Sequence, residues 1–153
     1  MSSTRAYVAI GANLGDAAGT VTQAMLALDT LPSTQVVQRS ALYRSAPVDA
    51  AGPDFVNAVV ALDTDLSPEA LLDELQRIER EAGRERPYRN APRTLDLDLL
   101  RHGDASLNTP TLTLPHPRMG ERAFVLLPLA QIAPALVSPA QIARVADQSI
   151  ERL

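Results

Sequence analysis

The chain has 153 residues and a formal net charge of −4, and its hydrophobic fraction of 46% is ordinary for a globular protein. A chain of this length can bury a real core, so we expect residues 1–153 to form a single domain. The negative charge argues against a general nucleic-acid-binding surface, and the absence of cysteine excludes disulfides, thiolate metal ligands and a cysteine nucleophile.

The first half of the chain predicts two strands around a helix. The apolar run Tyr7–Ile10 predicts a strand that ends in a turn beginning at Gly11, and Asp16 is a candidate N-cap for the helix that follows. Residues 35–44 predict a second strand. Residues 45–53 contain two prolines and a glycine, so they predict a loop that could act as a lid.

The middle of the chain repeats the pattern of strand and helix. Residues 55–64 alternate with period two, which predicts a strand with Phe55 and Asn57 on the same face. The pair Ser67-Pro68 is a typical helix start, and apolar residues at three- and four-residue spacing extend this helix over 68–82.

The last third begins with a strand that contains Asp96 and ends in broken helices. Short extended pieces are expected around Ser106 and over 111–114, and helical signals run from Glu121 onward. Prolines are expected to break this helical tail at three positions, namely Pro128, Pro134 and Pro139. The order β-α-β-β-α-β with a C-terminal hairpin and helices predicts an α+β, ferredoxin-like fold.

Asp96 and Asp98 form the most informative motif. Successive strand side chains alternate faces and rise roughly 3.3 Å per residue, so both carboxylates share one face about 7 Å apart. Such a pair suits one or two Mg²⁺ ions that take their remaining ligands from substrate phosphates. An ordinary strand with one solvated face has the same pattern, and for the motif alone that is the default interpretation.

Arginine density just upstream favours phosphate chemistry. Arginine is always charged, and its planar guanidinium matches phosphate oxygens. The arginines of this region are Arg77, Arg80, Arg84, Arg86, Arg89 and Arg93. Together with the carboxylates they fit a magnesium–polyphosphate site.

Seven short blocks occur in an order that resembles a known family. They are residues 9–15, 43–47, 55–58, 83–84, 92–98, 114–116 and 122–125, of which Pro-Arg-Thr-Leu-Asp-Leu-Asp and Leu-Pro-His are the most specific. Over most of its length the chain resembles 6-hydroxymethyl-7,8-dihydropterin pyrophosphokinase, a folate-pathway enzyme family. The resemblance implies transfer of an intact pyrophosphoryl group from ATP to the pterin hydroxymethyl oxygen, with release of AMP.

The same resemblance implies roles for individual residues. Asp96 and Asp98 would hold two Mg²⁺ ions and, with Arg84 and Arg93, would form the catalytic set. The residues implied for pterin binding are Ser45, Ala46, Val48, Phe55, Asn57 and Phe124. Those implied for nucleotide binding are Glu79, Arg84, Arg93, Leu99, Thr113, His116 and Arg122.

Three departures from the family pattern keep alternatives open. Asn90 stands where bacterial members often have tryptophan, Ala46 replaces a frequent proline, and Pro117 stands where an aromatic residue is common. One alternative is therefore a paralogue that acts on a modified pterin. Another is a non-catalytic domain that binds a nucleotide or pterin and regulates a partner, although the intact Asp96 and Asp98 argue against it.

Location and partners follow from what the sequence lacks. The N-terminal residues have no apolar secretory segment, and the longest apolar run, residues 123–130, is far shorter than the roughly 18 residues that span a bilayer. We expect a cytoplasmic monomer whose partners are small molecules rather than nucleic acids or membranes. Because the chain ends soon after the region of resemblance, we also expect no fused pathway enzyme.

Overall fold

The computed structural model describes residues 3–46, 53–82 and 95–153. The strands in these ranges are β1 (Thr4–Ala12), β2 (Thr34–Arg39), β3 (Tyr43–Ser45), β4 (Phe55–Thr64), β5 (Asp96–His102), β6 (Leu107–Asn108), β7 (Thr113–Leu114) and β8 (Ile150–Arg152). The α-helices are α1 (Ala17–Asp29), α2 (Pro68–Ala82), α3 (Ala123–Ile132) and α4 (Pro139–Arg144). The predicted α+β fold is confirmed, although the chain has one more strand between α1 and α2 than predicted.

The main sheet is antiparallel, with the strand order β5-β1-β4-β3-β8 and with β2 also paired to β4. Each of the two crossover helices joins strands that have one other strand between them, as in the split βαβ pattern. Strands β6 and β7 pair separately, which confirms the C-terminal hairpin. No helix in the described ranges is both long and apolar enough to cross a membrane.

The prediction of one strand over residues 35–44 was wrong, because Ser40 interrupts it. The Ser40 hydroxyl accepts a hydrogen bond from Val59 N at 2.9 Å and donates one to Ala41 O at 2.8 Å. A side chain thus occupies a place that a backbone carbonyl holds in a regular ladder. The chain consequently forms two strands, β2 and β3, that pair with different parts of β4.

The predicted end of β1 at Ile10 was also wrong, since this strand continues through Gly11 to Ala12. Gly11 pairs with Asn57 of β4 on one side and with Asp96 of β5 on the other. Pairing on both sides satisfies the Gly11 backbone groups and outweighs the local preference of glycine for turns.

Alternation along the strands gives the sheet two apolar faces. One face packs against α1 and α2, and its strand residues include Val8, Val60 and Leu97. The other face packs against α3, and its strand residues include Val59 and Leu100. The candidate site lies on this second face, beside the start of α3, where the helix no longer covers the sheet.

The predictions for the three C-terminal prolines were partly confirmed. Pro134 and Pro139 each begin a new short helix, as expected, but Pro128 lies inside α3 and does not break it. An interior proline costs a helix about 3 kcal/mol, because it loses one hydrogen bond and clashes with the preceding turn. In α3 most residues are buried against the sheet, so apolar burial offsets that cost.

Candidate active site

Three neighbouring strands place a row of site residues across the second face of the sheet. Asp96 of β5, Gly11 of β1 and Asn57 of β4 are register partners, and Asp98 lies opposite Ala9 in the next row of the same face. Above this row, the start of α3 leaves a pocket of about 210 Å³. The pocket is lined by Ala9, Ile10, Gly11, Ser45, Ala46, Phe55, Asn57, Asp96, Asp98, Arg122 and Phe124.

Asn57 is the most buried polar side chain of this pocket. It is 3% exposed, and its Nδ2 donates a hydrogen bond at 2.8 Å to the hydroxyl of Ser45, which is 6% exposed. The orientation leaves Asn57 Oδ1 without a hydrogen-bond partner among residues 3–46, 53–82 and 95–153. Buried polar atoms are rarely unpaired, so this oxygen is a candidate acceptor for a donor on a ligand.

Both phenylalanines of the chain line the pocket, one from the sheet and one from the helix. Phe55 begins β4, Phe124 lies in the first turn of α3, and both side chains are half-buried. The guanidinium carbon of Arg122 lies 5.4 Å from the centre of the Phe124 ring, within cation–π range. Two aromatic rings beside a buried amide can bind a flat, polar heterocycle.

Asp96 and Asp98 project from β5 as the alternation predicts. Leu95, Leu97 and Leu99 are buried against the helices, whereas both carboxylates are half-buried at the pocket. Within the described part of the chain, no third histidine or acidic side chain joins them to complete a protein metal cluster. A site with two carboxylates suits Mg²⁺, which usually keeps several waters and takes other ligands from phosphates.

Asp98 also reaches a second pocket, of about 290 Å³. This pocket lies between β5, α2 and the β6–β7 hairpin, and it contains Leu99, Thr113 and His116, three of the predicted nucleotide residues. Pro117, where the family commonly has an aromatic residue, lines it as well. Arg122, predicted in the same set, lines the first pocket instead.

His116 lies beside Asp98, with 4.0 Å between His116 Nε2 and Asp98 Oδ1. Burial lowers the pKa of His116, Asp98 opposes that shift, and Arg122 and Arg118 add to it. The imidazole is therefore neutral at neutral pH. Since His116 Nδ1 accepts a hydrogen bond from Arg118 N at 3.1 Å, the remaining ring proton lies on Nε2.

Glu79 is placed differently from the other predicted nucleotide residues. Its Oε2 accepts a hydrogen bond from Leu97 N at 2.9 Å, so α2 is tied to β5 between the two aspartates. Neither pocket includes Glu79 in its lining.

Three predicted site residues lie outside the described residues, namely Val48, Arg84 and Arg93. Asn90, one of the departures from the family pattern, lies outside them too. Sequence reasoning missed Gly11 as a site residue. Its signal was a glycine at the end of an apolar strand, which can mark a close approach rather than a turn.

Comparison with known proteins gives a consistent result. A model of the family 7,8-dihydro-6-hydroxymethylpterin-pyrophosphokinase (HPPK) matches residues 7–134. The 2-amino-4-hydroxy-6-hydroxymethyldihydropteridine pyrophosphokinase of Pseudomonas aeruginosa is 51% identical over 136 residues, which cover 88% of this chain and 84% of the relative. The enzyme of the same name from Haemophilus influenzae is 46% identical over 135 residues, with coverage of 88% and 84%.

Solved structures share the fold. A crystal structure of HPPK-DHPS in complex with substrates matches with a TM-score of 0.69 at 14% identity, covering 88% of this chain and 40% of that chain. Wild-type HPPK-DHPS of Plasmodium falciparum matches with a TM-score of 0.66 at 14% identity, covering 86% and 38%. This chain thus spans about two fifths of the length of those solved chains, and the likeness concerns the fold.

The family model matches most of the chain, and the chain covers most of the length of both relatives. The chain belongs to the 7,8-dihydro-6-hydroxymethylpterin-pyrophosphokinase family and is an ATP-dependent pyrophosphokinase.

Proposed function

We propose that this pyrophosphokinase transfers the terminal diphosphate of ATP to the hydroxymethyl oxygen of 6-hydroxymethyl-7,8-dihydropterin, a step of folate biosynthesis, at the junction of the two pockets. The observation that carries the proposal is that Asp98 lines both of them. A carboxylate shared by two pockets can hold a metal where the two substrates meet, which is where the reacting atoms must be.

The bond changes define what the site must stabilise. A bond forms between the pterin hydroxymethyl oxygen and the β-phosphorus, and the bond between that phosphorus and the α,β-bridging oxygen breaks. AMP leaves with the bridging oxygen, and the hydroxyl proton passes to solvent. Positioning and electrostatic stabilisation supply most of the rate in phosphoryl transfer.

Asp96 and Asp98 are the proposed Mg²⁺ ligands, and we propose two ions. Bound Mg²⁺ would neutralise the triphosphate oxygens. Both carboxylates are half-buried and project from the same strand, and phosphate and water oxygens would complete the coordination. Arg84 and Arg93, carried over from the family pattern, are proposed to close on the phosphates.

The first pocket is the proposed pterin site. Phe55 and Phe124 would stack on the two faces of the ring, and Asn57 Oδ1 would accept from an N–H at its edge. Ser45 orients the Asn57 amide through the 2.8 Å hydrogen bond, and Ala46 adds to the wall. Val48 is proposed for the same site from the family pattern.

The second pocket is the proposed nucleotide site. Leu99 and Thr113 line it, and the neutral His116 presents Nε2–H as a donor for an oxygen of ATP. Arg122 lines the first pocket together with Asp96 and Asp98, and it is proposed to bind phosphate oxygens where the two pockets meet. For Glu79 we propose a supporting role through β5 rather than a nucleotide contact.

Metal binding by Asp98 can be tested with Mn²⁺ as a paramagnetic substitute for Mg²⁺. We expect two Mn²⁺ per wild-type chain in electron paramagnetic resonance titrations with a non-hydrolysable α,β-methylene analogue of ATP. Asp98→Ala should weaken Mn²⁺ binding and leave less than about a tenth of the activity, because a lost metal ligand removes transition-state stabilisation.

The exposed Asp104, in the turn after β5, provides a matched control, and Asp104→Ala should keep both metal binding and activity. An Asp98→Ala enzyme that retains wild-type Mn²⁺ binding would contradict the metal-ligand role. A single Mn²⁺ in the wild-type complex would contradict the two-ion arrangement.

Three further statements about the chain are part of the proposal. We propose that residues 1–153 act as one domain, that the protein is a monomer, and that it works in the cytoplasm, where ATP is available. The antiparallel sheet that runs from β5 to the C-terminal β8 supports the first of these.

A further inference from the structure

A glutamine near the C-terminus is bonded to the start of α3. Gln148 lies between α4 and β8, and its Oε1 accepts a hydrogen bond from Ala123 N at 2.8 Å. Its Nε2 donates to Glu121 O at 2.9 Å. One side-chain amide therefore binds the backbone on both sides of Arg122.

The contact matters for helix α3 because the side chain of its N-cap residue makes no capping hydrogen bond. Arg122 occupies the N-cap position with an extended backbone (φ −128°, ψ 118°) and makes no side-chain capping hydrogen bond. The first N–H groups of a helix have no partner within the helix. Gln148 supplies, from a distant segment, an acceptor for the first of these N–H groups, that of Ala123.

The residues next to this contact line the proposed pterin pocket. Arg122 precedes Ala123 and Phe124 follows it, and both Arg122 and Phe124 face the pocket. Ala123 is 2% exposed and packs in a small apolar cluster with Leu126 and Val145. The backbone that carries Phe124 is thus held by the C-terminal segment through hydrogen bonds and packing.

The same C-terminal segment also holds the opposite wall of the pocket. Ile150 of β8 pairs with Ser45 of β3, and Leu153 N donates to Leu42 O at 2.9 Å. Ser45 in turn accepts the hydrogen bond from Asn57. Residues 148–153 therefore connect the Phe124 wall to the Ser45 and Asn57 wall.

We propose that Gln148 is a positioning residue for the pterin: it fixes the start of α3 so that Phe124 stands at the correct distance from the Asn57 amide. The inference rests on the proposed function, which assigns the first pocket to the pterin. Gln148 lies beyond the matched residues 7–134, so the family match gives it no role.

The test compares Gln148→Ala with a control variant in the same segment. Gln148→Ala removes both hydrogen bonds, and we expect the KM for the pterin to rise about three- to tenfold while the KM for ATP stays within about twofold. The control is Gln141→Ala, which removes the capping box that Gln141 forms with Ser138 and so loosens α4 without breaking the bonds to Glu121 and Ala123. Its pterin KM should match that of the wild type.

A second variant covers the case in which Gln148→Ala does not fold. Gln148→Glu keeps an acceptor for Ala123 N but places a carboxylate oxygen where the donor to Glu121 O stood, so its pterin KM should also rise while its KM for ATP stays within about twofold. Circular dichroism and thermal unfolding would establish which variants are folded. A wild-type pterin KM in the folded Gln148 variants, or an equal rise in both KM values, would overturn the inference.

Phe124→Ala distinguishes failure of this inference from failure of the proposed site. If Phe124→Ala raises the pterin KM and the Gln148 variants do not, only the positioning role is overturned. If Phe124→Ala binds the pterin as the wild type does, the assignment of the pocket is overturned and the role of Gln148 with it.

Discussion

Gly11 shows how one residue determines the room available at the site. It lies in the sheet between Asp96 and Asn57, and its lack of a side chain leaves space beside the Asn57 amide. A Cβ at this position would stand 3.3 Å from Asn57 Oδ1 and 3.9 Å from Phe55 Cδ1. The first distance is tighter than an ordinary contact, so the amide would have to shift by a few tenths of an ångström.

Gly11→Ala should therefore weaken pterin binding without unfolding the protein. We predict a rise in the KM for the pterin of about threefold or more, because the displaced Asn57 oxygen would make a poorer hydrogen bond. The KM for ATP and the unfolding midpoint should change little, since the added methyl group faces the pocket rather than the core. Steady-state kinetics with each substrate varied in turn would measure this, and a larger effect on ATP than on the pterin would contradict it.

At the scale of single elements, β5 owes its position to two neighbours. Among the strands of the described residues it lies at the edge of the sheet and pairs with β1 alone, so every second N–H points away from the sheet. Leu97 N is one of these, and Glu79 of α2 accepts its hydrogen bond. The helix thereby holds the segment of β5 that carries Asp96 and Asp98.

Substitutions at Glu79 should reveal this support as a change in metal dependence. Glu79→Met removes the acceptor, and we predict that the Mg²⁺ concentration for half-maximal activity rises several-fold and that stability falls by about 1–3 kcal/mol. Glu79→Gln keeps a carbonyl acceptor of similar length and should restore most of both properties. Activity would be measured as a function of Mg²⁺ concentration, and stability by urea unfolding. If Glu79→Gln is as impaired as Glu79→Met, the charge of Glu79 rather than its hydrogen bond to Leu97 N supports β5, and the prediction is wrong.

The elements also show which features local sequence patterns can predict. Period-two alternation correctly assigned the residues of β4 and β5 to the two faces of the sheet, because successive side chains of any strand point to opposite faces. Local patterns failed at Ser40 and Pro128. The Ser40 hydroxyl accepts the hydrogen bond of Val59 N, which lies nineteen positions further along the chain. The cost of Pro128 is offset by the packing of α3 against the sheet. Both outcomes therefore depend on tertiary contacts.

At the scale of the whole molecule, one face of the sheet forms the main core and the other carries the candidate site. Helices α1 and α2 cover one face with apolar side chains, while α3 covers only part of the other and leaves the pocket beside the aspartates. The family resemblance predicted most of the residues that meet there. It could not predict the bridge from Gln148, because that contact joins the C-terminal turn to the start of α3 and has no local signature.

Product analysis tests the central claim most directly. The wild-type protein and Asp98→Ala would be incubated in parallel with ATP, Mg²⁺ and 6-hydroxymethyl-7,8-dihydropterin, and the nucleotides would be separated by anion-exchange chromatography. Attack on the β-phosphorus predicts AMP and the pterin diphosphate in equal amounts, formed by Asp98→Ala at less than about a tenth of the wild-type rate. ADP with a pterin monophosphate, or equal turnover by the two proteins, would contradict pyrophosphoryl transfer at the aspartate pair.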